Sequence, residues 1–522
     1  VSADERVCKS DGRLFKRAYL KLGVAPNQIC HIGDNYKTDI LMAQSLGMKA
    51  IHITSASDIF MGKNSTFYSG QSFGAIFGDE FDAFGPMDYL GTRCLMGVAA
   101  KKVFNNPFEI FNCESDFDSN PSILGYYVLG TYVFSIANWL LIEARKQGYE
   151  TIHFLARDGL VIKQAYDILA KNSKQPAPKS NYLHVSRKAM MPFMVNEPQD
   201  VFYLIRSMDI LSYTPLKFLE QIRPIIPKIK YDNRRAILDD NGVLADTTFQ
   251  SEDEWNQFLH VFINHFYDRD SINTFRSHMK PFFCNLIGAH DCTFDVGHSV
   301  RTETLLSELI ENPVSVFYLH YNDEHALKQA HQIGANLTAF HTNSARPWEW
   351  VVLEKLICDT KGSCSGYRIE NGKLEYEFGK PDCDEDTASM INFIHEKAIE
   401  FISDFVKTFP EWESFEFRFT EKPFLYYFYH AKPFDKGILQ NCTVSDSNSS
   451  FSNNWRVVDH WNSTPAGNPN YQIDNRTSAR KIADLILPKG TRRREFLKKI
   501  LPKGVESILM KSALLIWVIF GA

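Results

Sequence analysis

The stretch Gln28-Ile-Cys-His-Ile-Gly-Asp-Asn-Tyr-Lys-Thr-Asp39 constrains this chain more than any other. A short apolar strand runs into a Gly33-Asp34 turn, and a helix follows with Asp39 on its first turn. Open α/β sheets place their ligands at the carboxyl ends of strands, where this turn falls. Asp34 and Asp39, five positions apart, can converge there on one hard cation such as Mg2+, which prefers oxygen ligands. A strand-to-helix turn with an Asp or Asn cap is the other reading of the same residues.

The flanks extend this unit into a β-α-β-α-β succession over residues 1–54. Val1-Ser2 is read as the end of a strand. Leu14, Phe15, Ala18 and Leu22 share one helix face, which Gly23 closes and Pro26 follows. Ile29 to Ile32 reads as a strand, Tyr36 to Leu46 as a helix closed by Gly47, and Lys49 to Thr54 as the next strand. Alternation of this kind implies a parallel sheet.

Ser2, Lys9, Gly33-Asp34 and Asp39, in that order and on those elements, resemble the later half of a haloacid dehalogenase-type (HAD) phosphohydrolase. The wording from Lys9 to Asp39 is similar to HAD-like proteins of bacterial surface-polysaccharide gene clusters, which are often fused to glycosyltransferases. The resemblance implies Ser2 as a phosphate ligand, Lys9 as the phosphate-binding cation, and Asp34 and Asp39 as Mg2+ ligands. It also implies a covalent route whose nucleophile is the first Asp of a DxD pair on an earlier strand. No residue precedes Val1, so the chain is expected to be an N-terminally truncated piece lacking that step. Asp116-Phe-Asp118 is a DxD downstream, but it lies in a polar loop without a preceding apolar strand.

The chain has 522 residues, 44% apolar and 23% charged, which allows two or three domains with sizeable cores. A net charge of −5 gives no global drive toward nucleic acid. Ten cysteines without a CxxC pair or zinc-like Cys/His spacing read as reduced, structural thiols of a cytoplasmic protein. Residues 1–75 are expected to form the HAD-like half-domain, and Gly- and Phe-containing residues 76–122 a connector with a helix near Leu95 to Lys102. From Ile123 to Gln147 runs a strongly apolar helix; its Gly125, Gly130, Ser135 and Asn138 favour a buried core helix over a membrane span.

Residues 123–345 read as a second Rossmann-like α/β domain with helical insertions. The stretch from Thr151 is a strand that meets a turn at Arg157-Asp158-Gly159, Tyr182 to Arg187 is a strand ending in Ser186-Arg187, and Cys292 to Ser299 is a third, running into a helix. A fourth strand is placed at Val314 to Tyr318, and residues 200–290 are helical, including Phe202 to Met208 and Trp255 to Phe282. Arg157, Asp158, Ser186, Arg187, Asp295 and His298 are a second candidate polar site. Set against the DxDG turn of the HAD superfamily, Ala156-Arg157-Asp158-Gly159 keeps the acid/base Asp and replaces the nucleophile by Ala156. An unrelated Rossmann-like sheet is the competing explanation.

Residues 346–485 are expected to be a helical and loop extension, with a hairpin turning at Asn371-Gly372 and Ser/Asn-rich loop over 443–478. The tail, residues 486–522, carries eight Lys/Arg against two Glu beside an apolar end, which fits a linker or contact with the inner membrane surface.

The leading reading is a Mg2+-dependent HAD-like phosphohydrolase or phosphotransferase of polysaccharide biosynthesis, acting on a sugar phosphate and without turnover as this piece. The alternative is a non-catalytic phosphosugar or nucleotide-sugar binding module serving a fused or partner glycosyltransferase. A third option gives residues 123–345 a transferase activity of their own.

Overall fold

Cys30-His-Ile-Gly33 is four residues of strand between two helical segments. In the computed structural model, residues 2–56, 90–106, 119–201, 204, 213–297, 299–321, 324–341, 347–381, 383–444 and 455–463 are described. All of them fall in one compact unit, Val1–Ala466. Helix Arg13–Leu22 turns Phe15 inward and ends at Gly23, whose left-handed φ of 65° lets its N–H reach the last free carbonyls. After Pro26 the chain enters β1 (Cys30–Gly33), passes through a π-helical turn Tyr36–Leu41 and a short helix Met42–Ser45, and enters β2 (Lys49–His52). β1 and β2 pair in parallel, Cys30 opposite Lys49 and Gly33 opposite His52. Phe15, Ala43 and Met48 form their small core.

Ser2 departs from expectation. It opens a helical turn, Ser2–Glu5, instead of ending a strand. Asp4 and Glu5 sit in the first turn, where the helix dipole favours negative charge, and Arg17 holds Glu5 at 2.7 Å.

The apolar stretch is a helix as expected. Pro121–Gln147 spans 27 residues at mean hydropathy 1.3, and 89% of its most apolar window is buried. Among the described residues it alone is long and apolar enough to cross a membrane, and it is placed as a core helix. It lies along Glu385–Thr408 so closely that a Cβ on Gly125 would stand 2.4 Å from the Ile394 carbonyl oxygen. Tyr126 hydroxyl ties the two helices by donating to Asp404 at 2.8 Å.

The main sheet has five parallel strands: β3 (Thr151–Leu155), β4 (Lys179–Leu183), β5 (Asp291–Asp295), β6 (Ser315–His320) and β7 (Leu337–His341). Their spatial order is β4-β3-β5-β6-β7, so the direction of winding reverses between β3 and β5. β3 is buried along its whole length, as a parallel strand covered by helices on both faces requires. The expected strand through Ser186 ends earlier, at Leu183, because Ser186 leaves the sheet to cap the next helix. β7 has no counterpart in the sequence reading: it is half-buried throughout and lacks a clean apolar signal.

Between β4 and β5 lies a helical insertion with its own core, including Met191, Leu219, Trp255, Phe258 and Phe262. The helix expected over Trp255 to Phe282 is broken at Tyr267-Asp268, where the Asp268 side chain accepts from Ser271 N–H and starts Arg269–Leu286. Most of Phe202 to Met208 lies outside the described residues, as do Asp116-Phe-Asp118 and the basic tail.

The boundaries expected at 122 and 345 do not divide the structure. Leu95 of Leu90–Val103, Leu140, Phe154, Leu353 of Pro347–Ile357, Phe401 and Trp461 belong to one continuous core. The hairpin is where the sequence put it, β8 (Cys364–Glu370) against β9 (Lys373–Phe378). Asn371 and Gly372 both have positive φ, 53° and 74°, as a two-residue type I′ turn demands. Part of the expected loop 443–478 is ordered instead: Thr443–Val444 pairs with Trp455–Arg456, and Val457–Ser463 is a helix. It is anchored by Trp461, whose indole N–H donates to the Phe428 carbonyl at 2.8 Å.

Candidate functional site

Asp39 is the buried hub of the first site. Its side chain is 1% exposed, and Oδ1 receives Lys9 Nζ at 2.5 Å and meets His31 Nε2 at 3.1 Å, while Oδ2 accepts from Asn35 N–H at 3.2 Å. Burial pushes this carboxyl upward, but the hydrogen bonds from Lys9, His31 and Asn35 outweigh it and hold Asp39 below the usual range. Gly33 is required by contact: a Cβ there would stand 2.5 Å from Asp39 Cγ. Asn35 accepts from Thr38 N–H at 3.0 Å and caps the turn that carries Asp39. Lys9 keeps 39% of its side chain exposed, so its ammonium can meet an anion while Asp39 fixes its position.

Asp34, at the tip of the loop, is exposed. Its carbonyl bonds His52 Nε2 at 2.9 Å, which holds the loop to the end of β2. The two acids expected to share a cation therefore differ. Asp34 presents an open carboxylate, whereas both oxygens of Asp39 already face donors. Among the described residues no group of three or more His, Cys, Asp or Glu is placed to hold a metal ion. The Asp34 carboxylate is open to a hard cation such as Mg2+, whereas the Asp39 oxygens are engaged by Lys9, His31 and Asn35. The Ser2 side chain lies outside the described residues.

The second set of residues gathers at the winding reversal. β3 runs into Ala156-Arg157-Asp158, and β5, paired beside it with Phe154 opposite Phe294, ends at Asp295. Asp295 is pushed well above the carboxylate range by burial and then by the charges of Asp158, Glu303 and Glu354, against one bond from Val296 N–H at 2.8 Å. Asp158 is pushed up to about 6 by burial, opposed by the Arg157 guanidinium and a hydrogen bond with Cys358. Glu354 is raised by burial and by Asp158, against Arg157, Arg187 and Lys355. By solvent exposure Glu354 is open and Asp158 and Asp295 are half-buried, so the surrounding protein that raises them does not seal them from solvent.

Arg157, Asp158, Arg187 and Asp295 thus join one electrostatic cluster, linked through Glu354. Ser186 does not join it: its hydroxyl donates to the Cys364 carbonyl at 2.6 Å and accepts from Ala189 N–H at 3.0 Å, a capping task. His298 lies outside the described residues. Glu354 and Arg301 were not found by sequence reasoning. Arg301 opens helix Arg301–Ile310, and its charge is disfavoured by burial and by Arg187. Nearby, Glu303 is fully buried, accepting from Thr293 at 3.1 Å and Tyr318 at 2.8 Å. Only the arrival of helix Pro347–Ile357 at the sheet edge reveals Glu354, and nothing in its apolar sequence announces that docking.

Residues 7–58 match the family model described as HAD-hydrolase-like. The match takes in Lys9, Gly33, Asp34 and Asp39 and stops before the five-stranded sheet. A HAD-like segment of this kind supports a phosphohydrolase-type function in general. No curated protein gives a significant match to the chain.

Proposed function

We propose that the Gly33-Asp34 loop binds the phosphate of a small phosphorylated molecule, a sugar phosphate, as part of a Mg2+-dependent phosphohydrolase or phosphotransferase serving polysaccharide biosynthesis. The observation that carries this reading is the Lys9–Asp39 pair at 2.5 Å, placed beside an exposed Asp34 within the HAD-like segment. Lys9 supplies a positioned cation, and such electrostatic positioning is a large part of phosphoryl-transfer catalysis. Asp39 acts as a positioning residue: it fixes the ammonium and is itself held by His31 and Asn35. Mg2+ bound at Asp34 would offset phosphate charge. We place the protein in the cytoplasm, with the basic tail touching the inner membrane.

The second reading is a phosphosugar or nucleotide-sugar binding module that works with a glycosyltransferase and does not turn its ligand over. The engagement of both Asp39 oxygens favours it, because that leaves a single open carboxylate at the loop. The test incubates the full chain with sugar phosphates, with and without Mg2+, and measures phosphate release and binding for the wild type, Asp34→Asn and Lys9→Ala. Mg2+-dependent release lost in Asp34→Asn supports the enzyme. Binding lost in Lys9→Ala without any release supports the module. Release or binding indifferent to both substitutions rejects the loop as the site.

A further inference from the structure

The winding reversal in an open parallel sheet opens a crevice at the carboxyl ends of the two strands that flank it, the usual place for ligands in such sheets. Here β3 and β5 flank it, and the residues just beyond them are charged. Three arginines reach this edge from three different elements. Arg157 follows β3, Arg187 begins the helix after β4, and Arg301 begins the helix after β5. Three carboxyls, Asp158, Asp295 and Glu354, neighbour one another here: Asp158 and Glu354 raise the proton affinity of Asp295, and Asp158 that of Glu354.

We propose that this crevice is a second ligand site, distinct from the Gly33-Asp34 loop, in which Arg157, Arg187 and Arg301 hold the phosphate of a phosphorylated sugar while Asp158, Asp295 and Glu354 accept its hydroxyl groups. Arg187 lies close enough to disfavour the charge of Arg301, so a dianion there would meet two neighbouring guanidiniums, whose forks match phosphate oxygens in pairs. Helices Gly159–Asn172 and Arg301–Ile310 both start at this edge, so their first N–H groups add to the same positive potential. The acids are not a chelate, since no described group of three or more His, Cys, Asp or Glu is placed to hold a metal ion. Carboxyl groups spaced around an anion pocket suit the ring hydroxyls of a polyol instead. Hydrogen bonds tie this edge to its neighbours. The Arg157 carbonyl accepts from Asp359 N–H at 3.1 Å, and Gln221 of the insertion donates to the Lys188 and Ser365 carbonyls at 2.9 and 2.8 Å.

The experiment measures binding of inorganic phosphate, glucose 1-phosphate and glucose to the full chain by calorimetry, in the wild type, Arg187→Ala, Arg301→Ala and Lys9→Ala. Glucose 1-phosphate binding more tightly than either phosphate or glucose alone is expected. Each arginine variant should weaken it about tenfold or more, as loss of a hydrogen bond to a charged group does, and Lys9→Ala should leave a site of wild-type affinity. Loss in Lys9→Ala alone, or affinity indifferent to both arginines, overturns the proposal and leaves the loop reading intact. Should an arginine variant fail to fold, the wild type still decides. Phenylglyoxal modification of Arg187 and Arg301, mapped by mass spectrometry, should be slowed by glucose 1-phosphate, and equal labelling with and without it overturns the assignment.

Discussion

Replacing Gly33 by Ala tests whether Asp39 organises the HAD-like loop. The new Cβ would lie 2.5 Å from both Cβ and Cγ of Asp39 and 2.6 Å from Oδ2, against about 3.5 Å for ordinary carbon contact. The carboxylate must retreat by roughly 1 Å. His31 at 3.1 Å and the Asn35 N–H at 3.2 Å then fall beyond hydrogen-bond reach, at a cost of about 1 kcal/mol each. The Lys9 pair, solvent-screened on the lysine side, adds at most about 1 kcal/mol. The loss is therefore roughly 2–3 kcal/mol, concentrated in one loop. Hydrogen exchange reads it locally: the Asn35 amide should exchange roughly thirtyfold to a hundredfold faster in Gly33→Ala. Gly23→Ala is the control. Gly23 has φ 65° with nothing within 4 Å of a built Cβ, so its cost of about 1 kcal/mol is backbone strain at the helix end, far from Asp39 contacts. Unchanged Asn35 exchange in Gly33→Ala, or equal acceleration in Gly23→Ala, would refute the reasoning.

Other expectations follow from the second half of the chain. Gly297→Ala combines φ 138° with a Cβ 2.4 Å from the His320 carbonyl oxygen, a backbone atom that cannot yield, and should lose at least about 2 kcal/mol in chemical denaturation. Glu303→Ala strips the acceptor from the Thr293 and Tyr318 hydroxyls and should lose about 2–4 kcal/mol, whereas Glu303→Gln keeps an acceptor and loses far less. Asp158 and Glu354, pushed up to about 6 and about 8, hold protons in the folded state that the unfolded chain has released. Their contribution therefore falls as pH rises from the ordinary carboxylate range through about 8, so the thermal midpoint should decline over that span. Glu354→Gln, which faces Asp158, Arg157, Arg187 and Lys355, should flatten the upper part of the decline; an identical profile in that variant counts against the cluster.

Local chemistry made part of this structure legible. The Gly33-Asp34 turn, the Gly23 stop and the Asn371-Gly372 turn are set by residues a few positions apart, and all three stand where their sequence places them. The role of Asp39 was only half legible, because spacing brings it to the loop but cannot say that Lys9, thirty positions earlier, takes its oxygen. Glu354 and the shared core of residues 95–461 were not legible at all. Both depend on docking between segments hundreds of positions apart, and amphipathic periodicity names a buried face without naming its partner. β7 was missed for a simpler reason: a half-buried strand of mixed polarity gives neither an alternating nor a continuous apolar pattern.

The helical insertion between β4 and β5 also bears on how the chain can fold. His153 and Asp291, 138 positions apart, share a hydrogen bond at 2.9 Å that bridges β3 and β5. Parallel pairing over such a span is slow, because the entropy of closing the loop comes before any reward from contact. The insertion has a core of its own, so it can collapse first and bring the two strands' flanks together as a folded spacer. The edge shared by β3 and β5 forms only once those strands are paired. A ligand that needs β3 and β5 paired would slow the separation of those strands.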